Sequence, residues 1–285
     1  MKIALLGAAG QLGKDLAPRL RGEVVPLTRA ECDLTNPDRL RDTLADIRPD
    51  VVVNCAAYNL VDQAESTPEA AFAVNTFAVR SLAQVCDSLG CLLVQYSTDY
   101  VFGLDAGRST PWTEADGPGP VSVYGTSKLA GEYAVRATCE RHLVIRTCGL
   151  YGVWGVGGKG GNFVETMLKL AEVGKPLRIV GDQRCTPSYT ADVAEASARL
   201  IERGTTGLLH LTNAGDCTWF EFASEIFRLA GSNVEVSAIT SKEFGRPAGR
   251  PPYSALALDR LADEGVTMRD WRDALAAYLR ERTQR

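Results

Sequence analysis

The chain has 285 residues, 45% of them hydrophobic and 23% charged, the balance of a globular protein with room for one large or two modest domains. A net charge of −4 argues against nucleic-acid binding, which calls for a basic surplus, and no stretch approaches the ~20 apolar residues of a membrane span. Eight cysteines without a Cys-x-x-Cys pair read as reduced core thiols, and two histidines, His142 and His210, are too few for a histidine-built metal site.

The apolar start, Ile3-Ala4-Leu5-Leu6, is too short for a secretory signal and runs straight into glycines, so a soluble cytoplasmic protein is expected. Apolar runs at 2–6, 24–27, 51–54 and 91–97 predict buried strands. Between them, helical spacing predicts helices over 12–20, 37–47 and 68–89; in the last, Ala71, Val74, Leu82 and Val85 share one face. A helix near 128–138 and a strand at 142–146 continue the alternation. Parallel strands joined by right-handed helical crossovers follow, a doubly wound α/β sheet of Rossmann type. After residue 151 the order is less regular: helices are expected at 163–172, 191–202, 220–230 and 271–281, and strands at 177–180 and 208–212. Residues 1–150 are thus expected to form the Rossmann-type domain and 151–285 mostly a smaller substrate-binding cap, with the chain crossing back into the sheet near 176–212.

The first strand ends in Gly7-Ala8-Ala9-Gly10-Gln11-Leu12-Gly13, where the first helix begins. Glycine there permits a tight turn, lets backbone N–H groups approach a pyrophosphate, and lets helix and strand pack closely. The position, after a strand and before a helix, is what a dinucleotide site requires. The second strand ends at Leu27-Thr28-Arg29 without a carboxylate for a ribose 2′-hydroxyl. Arg29 suits the 2′-phosphate of NADPH, while Glu31 nearby keeps NADH open and a solvated surface arginine is the plain alternative.

Tyr124 and Lys128 stand at i and i+4 on one helical face. Reducing a carbonyl by hydride leaves an alkoxide that needs a proton, and a tyrosine can give it; a nearby ammonium and an oxidised nicotinamide are expected to lower the phenol's pKa from about 10. Lys128 can also hold ribose hydroxyls. Thr98, closing the fourth apolar run, can donate to the carbonyl oxygen as charge develops. The pair alone is common by chance; the pair with a hydroxyl at a strand end is not.

The strings Ser97-Thr98-Asp99-Tyr100-Val101-Phe102 and Val123-Tyr124-Gly125-x-x-Lys128-Leu129-Ala130-Gly131-Glu132 resemble the dTDP-4-dehydrorhamnose reductase family of extended short-chain dehydrogenases. The likeness continues through Val61-Asp62-x-Ala64-Glu65, Gly161-Asn162-Phe163, Asp182-Gln183, Thr186-Pro187 and Arg250-Pro251 to Met268-Arg269-Asp270-Trp271, nearly the whole chain. It implies NAD(P)H-dependent reduction of the C4 keto group of a dTDP-linked 4-keto-6-deoxyhexose, with Thr98, Tyr124 and Lys128 in the catalytic roles. It implies that Asp33-Leu34 contacts the adenine and that Ala56-Ala57-Tyr58 passes beside the cofactor, although Asp33 also suits a simple turn. Asp99 and Tyr100 would line the sugar site, and Asn162 and Arg250 would meet the diphosphate; a helix cap is the other reading of Asn162.

Two features depart from that family. Gly149 stands where members often carry an aromatic residue, which implies a roomier sugar site with Tyr151 or Trp154 at hand to fill it. Some members are described as magnesium-bridged dimers; Asp15 matches one ligand position, but Ala191 stands where another acid is expected. No metal is therefore carried over, Asp15 reads as a surface residue near a helix N-terminus, and a homodimer stays open. The glycine run 155–161 reads as a surface loop or as a lid with Lys159 reaching a phosphate. A nucleotide-sugar epimerase uses the same Tyr and Lys, whereas dehydration is disfavoured because no glutamate follows Asp99. A non-catalytic subunit, like the regulatory partner of a methionine adenosyltransferase, is the reading from another class.

Overall fold

A computed structural model describes residues 1–155 and 161–284; most of the glycine run, Lys159 included, lies outside the described residues. Strand β1 (Lys2–Leu6) leads through the glycine turn into α1 (Gln11–Leu16), β2 (Glu23–Leu27), α2 (Pro37–Ile47) and β3 (Val51–Asn54). Next come α3 (Val61–Ala64), α4 (Pro68–Phe72), a π-helical stretch (Ala73–Ala78), α5 (Val79–Leu89) and β4 (Leu92–Thr98), then α6 (Val123–Thr138) and β5 (His142–Thr147). The remainder forms β6 (Leu150–Tyr151), α7 (Phe163–Val173), β7 (Leu177–Val180), β8 (Arg184–Cys185), β9 (Ser188–Tyr189), α8 (Thr190–Arg203) and β10 (Gly207–His210). It closes with β11 (Cys217–Thr218), α9 (Trp219–Ala230), β12 (Val236–Ile239), α10 (Ser241–Phe244), α11 (Asp259–Asp263) and α12 (Trp271–Thr283).

Six strands build one sheet in the order β2-β1-β3-β4-β5-β10, every pair parallel. Successive side chains serve opposite faces: Ile3, Leu5, Val51 and Val53 pack with α1 and α8, while Ala4, Leu6 and Val52 pack with α2, α5 and α6. The order reverses between β1 and β3, which opens a crevice at their carboxyl ends. Helix termini obey local chemistry. Asn36 caps α2 ahead of Pro37, Thr218 and Glu221 form a capping box on α9, and α5, α7, α8 and α9 each stop at a left-handed glycine.

Two predicted helices differ from the structure. The helix expected over 12–20 ends at Leu16, because Pro18 has no N–H to continue the ladder and its ring crowds the preceding turn. The helix expected over 68–89 forms, but widens into π geometry around Asn75, whose side chain bonds outside the helix.

The cap is built on α7, α9 and α12 with the small pairs β7–β12, β8–β11 and β6–β9, around a core rich in aromatic rings: Tyr151, Tyr189, Phe222, Trp271 and Tyr278. Between β9 and β11 the chain returns to the main sheet, placing α8 against α1 and β10 beside β5. All eight thiols are free, seven of them buried and Cys55 half-buried. Among the described residues no helix is long and apolar enough to cross a membrane.

Candidate active site

Gly7 and Gly13 are required by sterics. Gly7 has φ +73°, and a Cβ on it would lie 2.7 Å from the Ala56 nitrogen; one on Gly13 would lie 2.5 Å from the Gly7 carbonyl oxygen. Gly7 and Ala8 both donate to the Leu27 carbonyl, closing the turn. The turn, Gly10 and Leu12 included, forms one wall of a cleft at the carboxyl ends of β1, β3, β4 and β5. Within it Gln11 donates from Nε2 to the Leu150 carbonyl at 3.1 Å, and its Oε1 is buried without a partner, as is Thr147 Oγ1. A cradle that any Cβ would fill, beside orphaned buried polar atoms, fits a dinucleotide.

Asn54 and Asn75 hold the opposite wall. Asn54 accepts from the Ala56 N–H at 3.0 Å and donates to Gln95 at 2.8 Å, fixing the turn into Ala56 and Ala57. Asn75 accepts from the Tyr58 N–H, donates to the Tyr58 carbonyl, both at 2.9 Å, and donates to Ser127 Oγ at 3.0 Å. The same amide therefore ties the 55–58 turn to the helix that carries Lys128. Arg29, two residues past the Leu27 carbonyl that closes the glycine turn, is exposed and pairs with Asp33 at 3.0 Å. Asp33 also accepts from Thr35, and Leu34 is buried in the lower core. Glu31 is turned onto the Thr28 N–H at 2.6 Å.

Thr98 ends β4, and Ser122 caps α6 so that Tyr124 enters on its first turn and Lys128 on its second. Thr98, Tyr124 and Lys128 line the same cleft as the glycine turn. Burial pushes the Tyr124 phenol up to about 12, and the Thr98 hydroxyl beside it pulls the other way. In the protein alone, burial is the largest influence on this phenol. Burial pushes Lys128 down to about 8, opposed by the Glu132 carboxylate, and Nζ donates to the Tyr96 carbonyl at 2.6 Å.

Asp99 is buried and takes three hydrogen bonds: from Ser254 Oγ at 2.6 Å, Cys148 Sγ at 3.1 Å and Thr98 Oγ1 at 3.2 Å. Desolvation still pushes it up to about 6. Its oxygens serve the framework around Thr98 and bind the cap's Ser254 to β4.

A second cavity, in the cap, combines the aromatic rings of Phe163, Trp219 and Phe244 with the guanidinium groups of Arg178, Arg246 and Arg250. Tyr100 and Trp219 line both cavities. Arg250 lies against Tyr100 and forms a fork with Asp62, both contacts at 3.0 Å. Asn162 has both side-chain atoms committed: Oδ1 accepts from the Glu165 N–H to cap α7, and Nδ2 donates to the Gly152 carbonyl, each at 3.0 Å.

The two aromatics expected to fill the space by Gly149 are elsewhere. Tyr151 is buried among the cap rings, and Trp154 donates to Asp15 at 3.1 Å. Asp15 itself is buried, not on the surface, bonding Thr190 as well as Trp154. Among the described residues no cluster of potential ligands is arranged to hold a metal ion.

Residues 1–284 match the family described as RmlD substrate binding domain. The chain belongs to the RmlD/dTDP-4-dehydrorhamnose reductase family. One relative of this family, a dTDP-4-dehydrorhamnose reductase of Mycolicibacterium smegmatis, is 41% identical over 96% of this chain and 84% of its own. A crystal structure of a dTDP-4-dehydrorhamnose reductase from Clostridium acetobutylicum superposes with a TM-score of 0.92 at 38% identity, covering all of both chains. The reductase of Bacillus anthracis, crystallised with NADP, gives 0.92 at 36%, over 98% of this chain and 99% of that one. Membership makes the fold an NAD(P)-binding one and the protein an oxidoreductase.

Sequence reasoning missed Asn75 and Trp219, and gave Asn54 and Ser254 no role of their own. Asn54 at a strand end in front of small residues was a local signal. Asn75 answers to Tyr58 and Ser127, 17 and 52 residues away, and Ser254 to Asp99 across 155, so nothing nearby in the chain announces them.

Proposed function

We propose that this protein reduces the C4 keto group of a dTDP-linked 4-keto-6-deoxyhexose, in dTDP-rhamnose biosynthesis, with NADPH as the preferred reductant. The observation that carries this reading is the convergence of Thr98, Tyr124 and Lys128 with the glycine turn in one cleft. Gly7, Gly10, Gln11, Leu12 and Gly13 would cradle the pyrophosphate, with Ala56 and Ala57 opposite. Arg29, which is exposed, would meet the 2′-phosphate, since Glu31 is already occupied by Thr28. When bound, the cofactor supplies the hydride.

The protein's own groups manage the proton. Thr98 donates to the carbonyl oxygen, which gains charge as the C4 centre is reduced. A phenol pushed up to about 12 is protonated at neutral pH and so gives its proton to the alkoxide. Lys128, held at a fixed point by the Tyr96 carbonyl, presents a positive charge to the ribose hydroxyls and to the phenolate left behind. Asp99 holds the Thr98 hydroxyl until its one proton turns to the carbonyl oxygen, and Tyr100 walls the sugar. The cap cavity suits a nucleoside diphosphate, the Phe163 and Phe244 rings for the base and Arg250 for the phosphates. Residues 1–150 with α8 and β10 then hold the cofactor, and the rest of 151–285 mainly the substrate. A cytosolic compartment, where NADPH and nucleotide sugars occur, suits this chemistry.

The test is NADPH and NADH oxidation by purified protein with a dTDP-4-keto-6-deoxyhexose, with Tyr124→Phe as control. Oxidation that is at least about a hundredfold slower in the variant supports the reading. Equal rates in both proteins, or none in either, would overturn it.

A further inference from the structure

Gly149 and Trp219 lie at the junction of the two cavities. A Cβ built on Gly149 would stand 3.2 Å from Trp219 Cη2 and 3.2 Å from Pro187 Cα, with φ at +51°. The edge of the indole therefore occupies the space into which any side chain at 149 would grow. Trp219 opens α9, is only partly buried, and leans on Phe163 with ring centroids 4.7 Å apart. With Tyr100 it is one of the two residues shared by the catalytic cleft and the cap cavity. A ligand with its sugar beside Tyr124 and its nucleotide among the arginines would span the junction that these two residues line.

We infer that Trp219 is a specificity-determining residue: its indole, in the space left by Gly149, forms the apolar wall against which the sugar ring packs. This rests on the nucleotide-sugar reading of the cleft. A pyranose presents C–H groups on one face, and an indole offers a large, rigid, partly desolvated surface to meet them. The polar contacts to the same sugar come from Thr98 and Tyr124, which line the same cleft. The pocket is thus sized by a residue of the cap, so its width depends on how α9 sits and not on the turn that carries Gly149.

Calorimetric titration with dTDP-rhamnose and with dTDP alone reads the sugar's share of binding independently of turnover. Trp219→Ala is expected to weaken dTDP-rhamnose about tenfold and leave dTDP and NADPH within about twofold. Trp219→Phe, which keeps a ring and the packing on Phe163, should retain most of the sugar's share and guards against a folding defect in the alanine variant. Equal weakening of both nucleotides, or no change in either, would overturn the assignment. So would a parent protein that binds dTDP as tightly as dTDP-rhamnose. Failure of the reductase reading shows separately, as absent NADPH oxidation in the unmodified protein.

Discussion

Lys128 enters the cleft as an ammonium with one short bond, to the Tyr96 carbonyl, and little water around it. Its folded value of about 8 lies below the unfolded reference of 10.5, so at neutral pH the charged form is held against a desolvation cost. The sign follows: a depressed lysine contributes stability only above its unfolded value and loses it as pH falls through the folded one. At pH 7 its ammonium therefore destabilises the fold. Lys128→Met should raise unfolding free energy at pH 7 by about 1–3 kcal/mol in urea titrations while abolishing reduction. In the unmodified enzyme, kcat/KM should decline above about pH 8, as the free enzyme's lysine loses its proton. A variant less stable than the parent, or a profile flat to pH 9.5, would contradict this account.

Helix α6 carries both Tyr124 and Lys128, and its glycines set its position. A Cβ on Gly131 would lie 2.1 Å from the Asn75 carbonyl oxygen, and one on Gly125 would lie 2.2 Å from that of Tyr100. Both obstacles are backbone, so neither side can yield cheaply. Gly131→Ala should cost about 2–3 kcal/mol, read as a fall of several degrees in Tm, and should lower kcat by moving Lys128 relative to the 55–58 turn. An unchanged Tm would show slack between α6 and the π-helical stretch that the distances do not suggest. The same helix shows what was legible in the sequence. Tyr124 and Lys128 could be read because their spacing is a property of the helix itself, and Gly7 to Gly13 because strand, turn and helix are contiguous. The widening around Asn75 could not, since it answers to Tyr58 and Ser127, 17 and 52 residues away. Asn162 illustrates the converse: one side chain suited a phosphate and a helix cap equally well by sequence, and in the structure it caps α7.

At the scale of the whole molecule, two buried groups at the main sheet, His210 and Asp99, titrate in opposite senses. His210, on the edge strand β10, is pushed down to about 3 by burial and by the nearby Arg146 guanidinium, so it is neutral in the folded state. Between pH 6.5 and 3 the unfolded chain holds one proton more at this position, and stability is lost as pH falls. Asp99, which ties β4 to the cap through Ser254, is pushed up to about 6. Between pH 6 and 3.8 the folded chain holds one proton more there, and stability is gained as pH falls. Each slope is ~1.4 kcal/mol per pH unit, so across that shared window the two contributions cancel. Removing one exposes the other. Relative to the parent, Asp99→Asn should lose stability faster on acidification from pH 6 to 4, and His210→Asn should lose it more slowly, by about one proton in each case. Urea unfolding at half-unit pH steps measures both differences, and parallel curves for all three proteins would show that neither group titrates as its burial dictates.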